Sequence, residues 1–345
     1  MSFTITNRST GHSFPAIPGA SVLQAALSAG YVLRHSCRTG LCQTCKTPVL
    51  SGTVTYEGSL YGDSHLSEQD RADGFALLCQ ARAKSDLLID TDELSGIESF
   101  PIKTVPCRVI GLDKVAPDVM LVRLRLPSME NMRYAPGQHI GLIIDDKTQR
   151  TYSIANDCKP EGVTELELQV RHMPGGLFTD KLFNGLRVGQ LLKFEGPLGT
   201  FFLQEKSNKP IIFLASGTGF SPIKAMMEHI IKRGIHRSRK IDLYWGGRRR
   251  ADLYLFDLAQ RWSEEHESIR FVPVLSEPSD ACAWSGSTGL VHAQVMKDHP
   301  DLSGHQVYAC GAPLMIRAAR SDFATKCNMD ARDFLADEFL SQSDR

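Results

Sequence analysis

The feature that most constrains this chain is a group of four cysteines. Cys37, Cys42 and Cys45 form a C-x4-C-x2-C pattern, and thirty-three residues separate Cys45 from Cys79. Thiolates at this spacing are typical of the ligands of a plant-type [2Fe–2S] cluster. Three ligands from one short segment require a tightly wrapped loop, and Gly40 suits it because glycine tolerates positive φ. The pattern therefore predicts a centre that carries single electrons.

Zinc and disulfide bonds are the two alternatives for these cysteines. Structural zinc sites usually pair two short knuckles of the C-x2-C type, and the second knuckle is missing here. The nine cysteines are an odd number, and the N-terminus lacks the basic start and apolar stretch of a signal peptide. Because disulfides are typical of exported proteins, we expect reduced thiols and favour the iron–sulfur interpretation.

Length and charge limit the remaining classes of function. A chain of 345 residues is long enough for two or three domains. The formal net charge is zero, so there is no bulk electrostatic case for nucleic-acid binding. No apolar run reaches the roughly 18 residues that a membrane-spanning helix needs. We therefore expect a cytoplasmic protein without a membrane span.

The first part of the chain is predicted to be a small domain followed by a linker. Residues 1–92 combine short strand patterns with one helix over Ser21–Gly30, for which Ser21 is a good N-cap. A small mixed sheet crossed by one helix fits these elements. Residues 93–101 then have the polar, proline-containing composition of a linker.

Two further domains follow from a change in hydrophobic periodicity. Residues 102–206 alternate polar and apolar positions, most clearly over Glu165–Arg171, and Gly137–Ile144 is another strand candidate. This pattern predicts an antiparallel barrel or sandwich. Residues 207–345 instead begin with the continuous apolar run Ile211–Ala215, and strand and helix patterns alternate after it. That alternation is typical of a parallel sheet in an α/β domain.

A glycine-rich turn follows the first buried strand of this last domain. Gly217, Thr218 and Gly219 allow the backbone to approach a phosphate, and Ser221 and Pro222 are predicted as the N-cap and first residue of the next helix. A helix N-terminus offers free N–H groups to an anion. Two glycines before a helix also fit an ordinary tight turn.

Three other stretches carry side chains that could contact a nucleotide. Residues 150–153 contain an arginine that could clamp a phosphate, a tyrosine and a serine, although in isolation they fit a solvated edge strand better. Residues 171–179 are a second possible phosphate cradle. Cys310 ends a buried strand at the edge where open α/β sheets bind ligands, but a buried inert thiol is the commoner role of a free cysteine.

Together and in this order, these stretches resemble the ferredoxin–NADP reductase superfamily, specifically its oxygenase-reductase branch with an N-terminal ferredoxin domain. The R-x-Y-S motif at 150–153, the G-T-G-x-x-P motif at 217–222 and the C-G pair at 310–311 carry the resemblance. It implies a multidomain fold with a β-grasp ferredoxin domain (α+β), an antiparallel β-barrel flavin domain and an α/β parallel-sheet nicotinamide-nucleotide domain. The implied cofactors are a [2Fe–2S] cluster, FAD and NADH, with NADPH as the alternative.

The resemblance also implies roles for individual residues. Ser153 and Cys310 are expected at the site of hydride transfer, and the four cysteines are expected as cluster ligands. The residues expected to contact FAD or the nicotinamide nucleotide are Arg150, Tyr152, Ser153, Arg171, Gly175, Gly176, Thr179, Gly217, Thr218, Gly219, Cys310, Gly311 and Phe339. Glu338 is unusual in the D-x-F ending, and its role stays open. Arg248–Arg250 fit a 2′-phosphate site or a solvated basic corner.

The activity that this resemblance implies is electron transfer from NAD(P)H through FAD and the cluster to a partner protein, such as a terminal oxygenase. Several stretches, among them Phe194–Leu203 and Tyr244–Arg248, are also similar to reductases of the CDP-6-deoxy-Δ3,4-glucoseen type, which act with a deoxysugar dehydrase. Reductases of ring-hydroxylating dioxygenases share His172 and Pro174–Gly176. A redox-sensing interaction protein is the alternative from another class.

Overall fold

The computed structural model describes residues 3–59, 62–94, 100–145, 148–279 and 282–340. The chain divides into two compact units between Pro101 and Ile102, and each is described by itself. Within the described ranges, no helix combines the length and the apolarity that crossing a membrane requires. The residue limits of the domains drawn from the sequence stay predictions.

The first unit is a mixed five-stranded sheet crossed by a helix. Its elements are β1 (Thr4–Asn7), β2 (Ser13–Pro15), α1 (Val22–Ser28), β3 (Lys46–Ser51), β4 (Val54–Thr55), α2 (Glu68–Ala72), β5 (Phe75–Leu77), β6 (Arg82–Ala83) and β7 (Leu87–Ile89). The strand order is β2-β1-β7-β3-β5, and β1 and β7 run parallel. Ser21 caps α1 as predicted, since its hydroxyl accepts the Gln24 N–H.

The second unit begins with an antiparallel barrel. Its elements are β8 (Lys103–Ala116), β9 (Val119–Arg125), β10 (His139–Asp145), β11 (Thr148–Ser153), β12 (Glu165–Arg171), α3 (Leu177–Asn184) and β13 (Leu191–Leu198). The strand order is β11-β10-β13-β8-β9-β12, and an antiparallel bridge between Ile154 and Leu168 joins the two ends. The strand expected from Gly137 starts two residues later, because Gly137 turns the chain with a φ of +108°.

A parallel sheet with helices between its strands completes this unit. Its elements are β14 (Ile211–Ser216), α4 (Phe220–Arg233), β15 (Ile241–Gly247), α5 (Phe256–Glu265), β16 (Ile269–Leu275), β17 (Ser287–Thr288), α6 (Val291–Asp298), β18 (Gln306–Gly311), α7 (Pro313–Lys326) and β19 (Phe334–Glu338). The order β17-β16-β15-β14-β18-β19 places β14 in the interior, where all five residues of Ile211–Ala215 are buried. This burial explains their continuous apolar run.

The start of α4 differs from the sequence-based expectation. A short 3-10 helix, Gly217–Gly219, precedes it, and Gly219 rather than Ser221 occupies the N-cap position. Ser221 lies in the first turn, where its hydroxyl donates to the backbone oxygen of Ser153. The prediction of Ser221 as N-cap is therefore wrong, because a tertiary hydrogen bond takes the side chain that a cap would have used.

Candidate functional site

The four predicted cluster cysteines form two contacting pairs in the first unit. The thiol of Cys37 lies within hydrogen-bonding reach of Cys42, and that of Cys45 within reach of Cys79. All four are free thiols. Among the residues that the structure describes, no three metal-ligating side chains surround a single metal position. Two pairs are instead the arrangement that two irons need, since each iron takes two thiolates.

Each pair contains one thiol with a lowered pKa. The hydrogen bond with Cys42 lowers the pKa of Cys37 to about 5, and the N–H groups of Thr39 and Cys42 donate to its sulfur at 3.4 Å. The contact with Cys45 lowers the pKa of Cys79. The partner thiols, Cys42 and Cys45, have raised pKa values for the same reason. The donor set thus fits a cationic cluster, which binds thiolates.

Residues 37–45, the cluster loop, contain two non-glycine residues in the left-handed region. Arg38 has a φ of +57° and Gln43 a φ of +54°. The Gln43 amide donates to His65 O at 2.7 Å, and the Gln80 amide donates to Arg38 O at 2.7 Å. The same Gln80 nitrogen lies 3.7 Å from the Cys79 sulfur. Gln80 therefore links the separate fourth cysteine to the loop, a role that the cysteine spacing does not reveal.

In the second unit, the R-x-Y-S residues lie on β11. Ser153 is buried and pairs with His139 of β10, while the half-buried Tyr152 ring lies 5.4 Å from Phe178. The Arg150 guanidinium donates to its neighbour's carbonyl, Gln149 O, and is partly exposed. The strand is therefore not simply a solvated edge strand.

The 171–179 stretch divides into an arginine and a self-contained turn. Thr179 Oγ1 donates to Met173 O at 2.8 Å, and this oxygen would lie 2.5 Å from a Cβ on Gly176. Gly175 has a φ of +79° and donates its N–H to Asp180. These contacts hold the turn at the N-terminus of α3.

Arg171 is directed away from this turn, toward the α/β sheet. Its guanidinium forms ion pairs of 3.4 Å with Asp118 and Asp252, and it lies 3.4 Å from where a Cβ on Gly217 would be. The contact of its Nε with Asp118 is an ion pair without the geometry of a hydrogen bond. A guanidinium beside the glycine-rich turn fits a site for an anionic group.

The Gly217–Gly219 turn, called here the nucleotide loop, is fixed by the core of the sheet. The Trp245 indole donates to Gly217 O at 2.9 Å, and its ring stacks on Phe220 with centroids 3.8 Å apart. A Cβ on Gly219 would lie 2.0 Å from Cys310 O. Glycine at 219 is therefore required for close packing of the loop on β18.

Cys310 and Gly311 end β18 beside this loop. Cys310 is fully buried, and burial raises the pKa of its thiol. Gly311 has a φ of +129°, and a Cβ there would lie 2.3 Å from the hydroxyl of Ser216. That hydroxyl accepts the N–H of Ala312, and Phe339 donates its N–H to Gly311 O. Strand β19, which the sequence patterns did not indicate, brings Phe339 to this edge.

Two features left open by the sequence are defined by their contacts. Arg248 and Arg249 donate their backbone N–H groups to Asp252, whereas the Arg250 guanidinium lies 3.8 Å from the Phe256 ring centre. Glu338 forms an ion pair of 3.0 Å with Arg317 of α7. Glu338 therefore ties β19 to α7.

The second unit thus brings several predicted residues together where β14 and β18 end. Ser153 bonds to Ser221, Arg171 lies beside Gly217, and Gly219 packs on Cys310. Sequence reasoning missed Ser216, Trp245 and Asp252, which hold these groups in place. Their signals were weak, because a serine, a buried tryptophan and a loop aspartate occur in many folds.

Family models match three consecutive parts of the chain. They are the 2Fe-2S iron-sulfur cluster binding domain (residues 5–84), the oxidoreductase FAD-binding domain (106–203) and the oxidoreductase NAD-binding domain (213–321). These matches confirm the predicted three-domain architecture and its cofactors: a [2Fe–2S] cluster, FAD and a nicotinamide dinucleotide.

Relatives match this chain over nearly the whole length of both. The CDP-6-deoxy-L-threo-D-glycero-4-hexulose-3-dehydrase reductase of Yersinia pseudotuberculosis is 38% identical over 99% of both chains. Reductase component 1 of the Comamonas terephthalate 1,2-dioxygenase is 33% identical over 95% of both. Among solved structures, the Amycolatopsis cytochrome P450 reductase GcoB has a TM-score of 0.78 at 32% identity, over 98% of this chain and 99% of that one.

These findings confirm the predicted class of activity. The protein is an NAD(P)H-dependent oxidoreductase that passes electrons through FAD and a [2Fe–2S] cluster to a partner protein. It belongs to the iron–sulfur flavoprotein reductases of the ferredoxin–NADP reductase superfamily, the branch with an N-terminal ferredoxin domain.

Proposed function

We propose that Cys37, Cys42, Cys45 and Cys79 hold the cluster through which electrons leave this reductase. The observation that supports this assignment is their arrangement in two contacting pairs. When bound, FAD accepts a hydride and returns electrons singly, and the [2Fe–2S] cluster carries one electron at a time. The chain itself supplies binding and orientation.

The residues of the second unit divide into phosphate-binding and ring-binding groups. Arg150 and Arg171 bind phosphates through charge-assisted hydrogen bonds, and the Arg171 guanidinium lies beside Gly217 of the nucleotide loop. Thr218 of the nucleotide loop and the Gly175–Thr179 turn supply polar groups at the same sites. Tyr152 contacts the flavin ring, and Ser153 donates its hydroxyl to that ring's edge.

Cys310 and Gly311 line the nicotinamide site, and Phe339 packs at the same edge of the sheet. Because burial raises the pKa of Cys310, the thiol stays protonated at neutral pH. It therefore acts as a neutral group that orients the nicotinamide rather than as a nucleophile.

NADH is the preferred dinucleotide in this proposal. The Asp252 carboxylate lies just after the end of β15, where it accepts the backbone N–H groups of Arg248 and Arg249. An acidic group in this region of the fold favours a ribose hydroxyl over a phosphate. The ratio of kcat/KM for NADH and NADPH tests this choice, and a ratio below one would contradict it.

The electron acceptor is a protein, and two kinds are proposed. A terminal oxygenase is the first, by analogy with the dioxygenase reductase of Comamonas. A deoxysugar dehydrase is the second, and the higher identity of the Yersinia reductase, 38% over 99% of both chains, favours it. To distinguish the two acceptors, the reductase is mixed with an oxygenase or with a dehydrase, and the rate of NADH consumption is measured in each mixture. We place the protein in the cytoplasm, where both kinds of partner would find NADH.

The experiment that tests the cluster assignment is the Cys37→Ser substitution. We expect NADH oxidation with ferricyanide to persist, because the second unit is untouched, while transfer to cytochrome c and the iron–sulfur EPR signal are lost. Cys282→Ser, which changes a free cysteine outside the pairs, is the matched control. Loss of ferricyanide reduction in a variant that still holds flavin would contradict the proposed order of carriers.

A further inference from the structure

Helix α4 and the segment that follows the R-x-Y-S motif are joined by a regular set of side-chain hydrogen bonds. Ser221 Oγ donates to Ser153 O at 3.1 Å, and Lys224 Nζ donates to Ala155 O at 3.0 Å. Asp157 donates its N–H to Glu228 Oε2 at 3.2 Å. We call these three contacts the α4 ladder.

The spacing on each side explains why the ladder is regular. Positions 221, 224 and 228 lie three and four residues apart, so they share one face of a helix. Positions 153, 155 and 157 lie two residues apart, at and after the end of β11. Each of the three helix side chains bonds to a backbone group of one of these residues.

Lys224 is the central member of the ladder. Its side chain is only 9% exposed, and Nζ also forms ion pairs of 2.8 Å with Glu228 and 3.3 Å with Glu167. A buried ammonium is costly unless it is paired and hydrogen-bonded. The Lys224 ammonium is surrounded by three oxygens, which belong to α4, β12 and the 153–157 segment. Lys224 therefore ties together three separate elements.

A second contact closes the far end of the ladder. His229 Nδ1 lies 2.8 Å from the Asp157 carboxylate, and its Nε2 lies 3.1 Å from Glu205. His229 and the Asp157 side chain are both buried, with exposures of 6% and 7%. The segment is therefore fixed along its whole length, from Ser153 to Asp157.

The position of the ladder connects the two halves of the site. Its first contact is made by Ser153, the residue assigned above to the flavin edge, and α4 begins directly after the nucleotide loop. A shift of Lys224 would move Ser153 relative to Gly217–Gly219. Hydride transfer is sensitive to displacements of about 1 Å in the reacting groups.

We propose that Lys224 is a positioning residue for hydride transfer, which sets the distance between the flavin edge and the nicotinamide through the α4 ladder. This proposal rests on the assignment of Ser153 and the nucleotide loop in the proposed function. It predicts a change in the hydride-transfer step rather than in the binding of NADH, because Lys224 contacts neither ligand site directly.

The test is stopped-flow reduction of the flavin in the holoenzyme carrying Lys224→Met. We expect the limiting rate constant at saturating NADH to fall by at least about tenfold, with the Kd for NADH changed less than about threefold. The charge-transfer absorbance of the NADH complex should weaken in parallel. Lys224→Arg, which keeps the charge and donors, should recover most of the rate.

Two further measurements separate positioning from a general loss of structure. Lys326→Met removes the exposed ion pair with Asp322 on α7 and should leave the rate unchanged. Hydrogen exchange at the Ala155 and Asp157 amides should accelerate in Lys224→Met by at least about tenfold, while β14 stays protected. Ser221→Ala breaks the ladder without leaving a buried charge unpaired, and it should lower the same rate constant by about threefold.

Several outcomes would overturn the proposal. An unchanged limiting rate constant in both Lys224→Met and Ser221→Ala would contradict it. A higher Kd for NADH with an unchanged rate constant would contradict it as well. Neither result would contradict the proposed function. Failure of NADH to reduce the flavin of the wild-type holoenzyme would instead remove the proposed function and this inference together.

Discussion

The cluster loop and the nucleotide loop are both tight turns, but different forces hold them in shape. In the cluster loop, Arg38 and Gln43 adopt positive φ values, and amide side chains from Gln43 and Gln80 bond the loop to its surroundings. In the nucleotide loop, Trp245 and Phe220 form a stacked pair under the backbone, and Gly219 packs directly on β18.

This difference indicates which loop needs its ligand to keep its structure. The nucleotide loop is part of a hydrophobic core, so its shape is set when the α/β sheet folds. The cluster loop instead carries three of the four paired thiols, and its backbone includes Arg38 and Gln43 at positive φ. We infer that the nucleotide loop is preformed, whereas bound iron completes the cluster loop.

The largest effect should come from adding one methyl group to the nucleotide loop. A Cβ at position 219 would lie 2.0 Å from Cys310 O and 2.4 Å from its carbonyl carbon. Both are backbone atoms and cannot move aside, so we expect Gly219→Ala to cost about 3 kcal/mol or more in the free energy of unfolding. Urea denaturation, monitored by tryptophan fluorescence, measures this cost.

A matched substitution controls for the effect of alanine itself. Gly304 has no atom within 4 Å of a Cβ position, and Gly304→Ala should change stability by less than about 0.5 kcal/mol. If Gly219→Ala and Gly304→Ala were equally stable, the nucleotide loop would be able to move away from β18 and make room for the methyl group.

Removal of the cluster should affect one loop and leave the other unchanged. In protein stripped of iron, we expect the amides of residues 37–45 to exchange hydrogen roughly 100-fold faster, because bound metal stabilises the folded loop. The amides of β14 and the nucleotide loop should keep their protection. Exchange measured by mass spectrometry before and after iron removal compares them directly, and equal acceleration in both loops would break the comparison.

How far the sequence predicted each loop follows from the same physical difference. The four cysteines could be predicted as cluster ligands at once, since three of them lie within nine consecutive residues and their spacing is local. The alternating pattern of Glu165–Arg171 and the apolar run of Ile211–Ala215 likewise gave strands at the correct places. Patterns of this kind depend only on neighbours in the chain.

What the sequence did not predict depends on contacts between distant residues. Ser221 was expected to cap α4, yet its hydroxyl bonds to Ser153, 68 positions earlier. Gln80 and Trp245 support the two loops through partners 42 and 28 residues away. No periodicity marks such residues, because only the folded chain brings the partners together. Strand β19 was missed since it is short and follows α7 at the sheet edge.

Helix α4, which follows the preformed nucleotide loop, carries a histidine whose contribution to stability depends on its charge. Burial alone would lower the pKa of His229, but hydrogen bonds with Asp157 and Glu205 raise it to about 9. The folded state therefore holds the proton more tightly than the unfolded state, whose histidine titrates near 6.5. The stabilisation is complete below about pH 6.5 and is lost as pH rises through about 9.

The substitution His229→Gln tests this dependence. Glu205 is largely exposed, so solvent weakens its interaction with His229. We therefore expect the substitution to lower the free energy of unfolding by on the order of 2 kcal/mol at about pH 6. The loss should nearly vanish at about pH 10. Urea denaturation of both proteins across this range measures it, and a difference independent of pH would show that His229 acts through packing.

A smaller effect is expected from the indole that supports the nucleotide loop. Trp245→Phe keeps most of the stacked ring but removes the N–H that bonds to Gly217 O at 2.9 Å. A partly buried carbonyl left without its partner costs about 1–2 kcal/mol. We expect this loss in urea denaturation together with a higher KM for NADH. Trp262→Phe, in the same core cluster, is the control and should leave KM unchanged.

The smallest effect should distinguish the two forces acting on the cluster loop. Gln43 contributes an amide that bonds to His65 O, and it tolerates a φ of +54°. Gln43→Ala loses the bond and keeps the unfavourable φ, so we expect a cost of about 1–2 kcal/mol in the free energy of unfolding. Gln43→Gly loses the bond but gains a residue suited to that φ, so its cost should be below about 1 kcal/mol. If the two variants are equally unstable in urea, the amide bond alone determines the loop, whereas a glycine variant more stable than wild type would show that backbone strain dominates.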